Sequence, residues 1–122
     1  MKESSNHRLR ILFLSSWYPS QEHHTLGNFV QRHAQAVAKL HDVSVIYATP
    51  YKKRGLPSDE INEIKGVTEY IGYFPPGLNT IHKRKNTFLR LFNEYMTLNG
   101  APPDIVHLNV LYPAGNQARW LK

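Results

Sequence analysis

Two side chains able to handle a hydroxyl or a phosphate, His107 and Asn109, stand two residues apart in the run Asp104-Ile105-Val106-His107-Leu108-Asn109-Val110. In an extended strand that spacing sends both to one side of a sheet. An imidazole can take up and release a proton, whereas an Asn amide donates and accepts hydrogen bonds without doing so, so Asn109 suits positioning rather than acid–base work. The competing role for His107 is that of a hydrogen-bonded core residue. A second place for chemistry is Gly27-Asn28 at the start of a helix. Free backbone N–H groups and the positive end of the helix dipole there favour a phosphate or carboxylate. The plainer role of Gly27 is to permit a tight entry into the helix. His23-His24 lacks further ligands at metal-binding spacing and reads as exposed loop, so no metal site is expected.

Other chemistries lack their signatures. Cysteine is absent, which removes thiolate nucleophiles, disulfides and Cys-based zinc sites together. Neither Gly-x-Gly-x-x-Gly after the first strand nor Gly-x-x-x-x-Gly-Lys-Ser/Thr occurs, so dinucleotide binding and nucleoside triphosphate hydrolysis lose their best support. A net charge of +6 points to an anionic partner. His82-Lys83-Arg84-Lys85 with Arg90, beside Phe88, Leu89 and Phe92, form a basic amphipathic stretch. Such a stretch either rests on anionic lipid or is a core helix with a solvated basic face, and the second is the favoured reading.

The elements that must hold these residues follow from apolar periodicity. Arg10–Ser15 is a continuous apolar run, the pattern of a strand buried on both faces. A long polar segment, 16–27, follows. From Asn28 the residues Phe29, His33 or Ala34, Ala36, Val37 and Leu40 recur at helical spacing, with Asn28 as N-cap and Gln31 placed for a capping box. Residues 43–48 make a second strand, 49–65 a loop with a short helical turn over 59–64, and Val67–Phe74 a third strand halted by Pro75-Pro76-Gly77. A helix over 80–98, with Ile81, Phe88, Leu91, Phe92, Tyr95 and Met96 as its apolar stripe, stops at Gly100. Residues 104–110 form the fourth strand and 114–122 a further helix opened by Pro113. The fold class expected is α/β: a Rossmann-like open parallel sheet with right-handed crossovers and helices on both faces. Ligands on such sheets bind beyond the carboxyl ends of the strands, which selects the segments 16–27, 49–65 and 111–115.

The order of motifs resembles the N-terminal domain of retaining GT-B glycosyltransferases of the family-four type. The stretches that carry the resemblance are Ile11-Leu12-Phe13-Leu14-Ser15-Ser16-Trp17-Tyr18-Pro19, Gly27-Asn28-Phe29-Val30-Gln31-Arg32-His33-Ala34, Leu40-His41-Asp42-Val43, and Pro103-Asp104-Ile105-Val106-His107 followed by Pro113-Ala114-Gly115. The resemblance implies a single acceptor-side domain spanning 1–122, a truncated piece of a longer enzyme whose C-terminal domain would bind the donor. It implies that Ser16, Gly27, Asn28, His107, Asn109 and Gly115 face the substrate or the donor diphosphate. Many relatives carry His-x-His at the end of the fourth strand, where this chain has His107-Leu108-Asn109. That departure weakens a histidine-based catalytic step.

The resulting expectation is transfer of a sugar from a nucleotide sugar, a co-substrate rather than a cofactor, to a saccharide or lipid-linked acceptor of a cell envelope or polysaccharide. The alternative is a non-enzymatic basic domain that holds nucleic acid or anionic membrane. The transferase reading involves no nucleic acid, and the lack of an aromatic-and-basic recognition motif counts against that partner. The polar first ten residues and the lack of a long apolar run suggest a cytoplasmic protein, with peripheral contact to the inner face of the membrane through the basic stretch.

Overall fold

Runs of consecutive apolar residues need cover on both faces, and the computed structural model, which describes residues 8–15, 28–52 and 55–109, supplies it with a central sheet between two helices. In chain order the elements are β1 (Arg10–Ser15), α1 (Asn28–Val37), β2 (Asp42–Pro50), β3 (Glu60–Ile64), β4 (Val67–Phe74), α2 (Thr80–Asn99) and β5 (Ile105–Asn109). The strands lie in the order β3-β4-β2-β1-β5. Strands β4, β2, β1 and β5 run parallel, and β3 pairs antiparallel with β4 at one edge.

Alternate residues of each strand serve the two faces. Ile11, Phe13, Val43, Val45, Val67 and Ile71 meet Val30, Ala34 and Ala38 of the α1 segment. Leu12, Leu14, Ile46, Ala48, Tyr70 and Phe74 meet Phe88, Leu91 and Tyr95 of α2. The mixed α/β class and helices on both faces are therefore as the sequence predicts. Helices on opposite faces are what two crossovers of the same hand give when they run in opposite directions across a sheet.

Several local expectations are corrected. Residues 59–64 hold no helical turn; Glu60–Ile64 is an edge strand, so the sheet is mostly rather than wholly parallel. The three-residue spacing of Ile61 and Ile64 imitates a helix, but the two-residue connection Lys65-Gly66, both at positive φ (49° and 85°), closes a hairpin. The supposed ligand loop 49–65 shrinks accordingly, because Thr49 and Pro50 finish β2 and Glu60–Ile64 is paired. The stripe of α1 is Val30, Ala34 and Ala38, while Ala36 and Leu40 are exposed. Ile81 is exposed at the start of α2 rather than buried in its stripe.

Gly100 ends α2 as expected: at φ 73° it donates its N–H to the Met96 carbonyl at 2.7 Å. Among the described residues the partner of Gln31 is not a helix cap: its Nε2 donates to Glu69 Oε2 at 2.8 Å beneath α1. The helix proposed over 114–122 lies outside the described residues. No helix among the described residues is long and apolar enough to cross a membrane.

Candidate functional site

Counting the parallel strands alone, the chain places its first three progressively toward one side and then returns past β1 to lay down β5 on the other. The reversal falls between β1 and β5, and in a doubly wound sheet the crevice outside the carboxyl ends at such a reversal is where ligands sit. Register fixes what stands there. Phe13 pairs with His107 and Ser15 with Asn109, so the last residues of β1 and β5 face each other at the rim.

On the α1 side of this rim three rings converge. The His107 imidazole lies 4.9 Å from the Phe13 ring, centroid to centroid. His33, from the second turn of α1, meets Phe13 edge-on at 5.7 Å and His107 edge-on at 5.8 Å. Phe13 is buried and forms the floor, while both imidazoles are exposed. Among the described residues neither imidazole has a hydrogen-bond partner. Their ring nitrogens are thus available to hydroxyls or to an anion, as donors or acceptors according to tautomer. Ser15, next along the same face of β1, is fully buried and is itself engaged.

The structure thus brings together His107 and the strand end at Asn109, and it opens α1 at Asn28. Of the other residues singled out from sequence, Ser16, Gly27 and Gly115 lie outside the described residues, as do His23 and His24. The sequence does not mark His33 as a site residue. Its helical spacing assigned it or Ala34 to the buried stripe, and only the neighbouring Ala34 is buried. The signal the sequence does carry is that His33 sits one helical turn beyond Phe29 in the first turns of the helix that follows β1.

The basic stretch of α2 does structural work. Lys83 Nζ donates to the carbonyls of Pro75 and Pro76 at 3.2 and 3.4 Å. Arg84 donates to the Ala48 carbonyl at 3.0 Å and lies over the Phe74 ring at 5.3 Å. Arg90 grips Asp59 through two hydrogen bonds of 2.7 and 2.8 Å, and this partner raises its pKa above the ordinary guanidinium value. Side chains so committed are poorly placed to leave for a lipid surface. Among the described residues no group of His, Asp and Glu is arranged to hold a metal ion.

Comparisons with protein-family models, with curated proteins and with solved structures return no match.

Proposed function

We propose that this chain is the acceptor-side part of a GT-B glycosyltransferase, acting in the cytoplasm on a saccharide or lipid-linked acceptor. The observation that carries the reading is the strand reversal between β1 and β5, with His107 and His33 exposed above Phe13 at its carboxyl rim. A crevice of this kind lines one wall of a cleft, and oriented donors there stabilise the charge left on a departing nucleoside diphosphate without a metal. The motif order quoted above supports the same reading. So does β5, whose Ile105 and Val106 are each 45% exposed on opposite faces although the run has the composition of a covered strand. A further element beside β5 would cover them.

In this scheme His107 and Asn109 hold an acceptor hydroxyl or a phosphate oxygen, His33 narrows the same rim, and the start of α1 at Asn28 receives negative charge from the donor. The donor nucleotide itself belongs to a second domain. The test is to express the longest reading frame that contains this chain and to assay transfer from nucleotide-sugar donors. In the longer protein His107→Ala and Asn109→Ala should each lower kcat/KM by roughly tenfold to a hundredfold, the range of a lost hydrogen bond to a charged or reacting group. A longer frame without a second α/β domain, or a 122-residue chain that transfers sugar as fast as the longer protein, overturns the proposal.

A further inference from the structure

Toward the carboxyl end of α1, away from the His33–His107 rim, Arg32, Lys39 and Lys65 open onto one shallow groove whose remaining lining is Gln35 and Ala36. No acidic side chain lines it. All three cations are exposed, and none forms an ion pair or side-chain hydrogen bond among the described residues. This contrasts with Lys83, Arg84 and Arg90, each engaged by a carbonyl or a carboxylate.

The groove is also built rather than incidental. Arg32, Gln35 and Lys39 recur along one exposed face of the α1 segment. Lys65 comes from the turn between β3 and β4, and that turn is pressed against the end of α1: a Cβ on Gly66 would lie 3.3 Å from Ala38 Cβ. Lys65 therefore cannot swing away with its turn. It occupies the left-handed region at φ 49°, the first position of a two-residue hairpin turn, where Asn, Asp or Gly is the comfortable choice. A residue held in a strained conformation, carrying a charge toward two like charges, is placed where its charge is wanted rather than where its backbone is at ease.

We infer that this groove binds a phosphate-bearing anion, with Lys65 and Lys39 closing on it from the hairpin and the end of α1, and Arg32 from one side. The inference does not depend on the transferase reading, because it uses none of the rim residues. A guanidinium supplies a planar fork for two phosphate oxygens, the ammonium groups act as point charges, and the Gln35 amide donates one more hydrogen bond.

The experiment titrates the 122-residue protein with inorganic pyrophosphate by amide NMR and sediments it with vesicles of phosphatidylglycerol, against phosphatidylcholine vesicles as control. Pyrophosphate shifts confined to residues 32–39 and 65–66, or sedimentation with the anionic vesicles only, are expected. Shifts identify a soluble phosphate as the source, and sedimentation without them identifies a lipid headgroup. The R32Q/K39Q/K65Q variant should weaken whichever binding is seen by roughly tenfold, a few-fold for each exposed cation removed. Lys65→Asn separates binding from folding: relief of the turn should raise Tm by roughly 3 °C while affinity falls. Binding of neither probe, undiminished binding by the triple variant, unchanged affinity in Lys65→Asn, or tighter binding of arbitrary duplex DNA than of both probes overturns the inference.

Discussion

Tyr70 and Tyr95 carry their rings into the α2 side of the core, 6.0 Å apart and edge-on, each about 1% exposed. Burial is the main cause that pushes both phenols above their ordinary value of 10.0, because the charged phenolate is disfavoured away from water. For a group whose folded pKa is raised, the folded state keeps its proton longer than the unfolded chain does. Stability is then fully present below pH 10.0 and is lost as pH rises through the raised folded values. Thermal melts should show Tm falling above pH 10.0, and Tyr95→Phe should flatten that fall. At this scale the sequence was informative about His107 and Asn109, because alternation along a strand is local, and Gly100 was legible for the same reason. It was silent about His33 meeting His107, since that contact needs α1 to lie across β1 and β5. The Gln31–Glu69 hydrogen bond spans thirty-eight residues and was equally out of reach.

Elements whose length and composition were unmixed were legible: β1, β4 and α2 fall within a residue or so of their sequence limits, while β2 runs a little longer at each end. β3 is not legible in the sequence because its five residues, Glu60-Ile61-Asn62-Glu63-Ile64, carry no β-branched majority and satisfy both periods. Its antiparallel partner decides the matter, and charged residues on so short an edge strand discourage pairing with other chains. Packing of α2 on β4 hangs on Gly72, where a Cβ would lie 2.6 Å from Thr87 Cγ2 and 3.0 Å from Leu91 Cδ1. Gly72→Ala should therefore cost about 1–3 kcal/mol by overpacking, measured as a lower denaturation midpoint, despite alanine's better strand propensity. The Arg90–Asp59 fork ties the segment before β3 to α2 across thirty-one residues. Both partners keep contact with solvent, so Asp59→Ala should cost only about 1 kcal/mol, and less in high salt.

For the whole molecule, protection should grade outward from β2, which is buried along nearly its full length between β1 and β4. Native-state hydrogen exchange should find β2 amides slowest, and β3 and β5, each with one neighbouring strand among the described residues, fastest. Uniform exchange across the five strands would contradict this order. The same topology sets a sequence of events for folding. The β3–β4 hairpin closes over a two-residue turn, and β1 finds β2 within one helical crossover. The bond from the Arg10 amide to Asp104 Oδ2 joins residues ninety-four apart. Closing so wide a loop costs chain entropy that no local contact repays, so β5 docks after the remainder of the sheet is formed. On a ribosome, β1 would then wait with one edge vacant while the rest of the domain emerged. The rim where His107 meets His33 would be the last feature a newly made copy acquires.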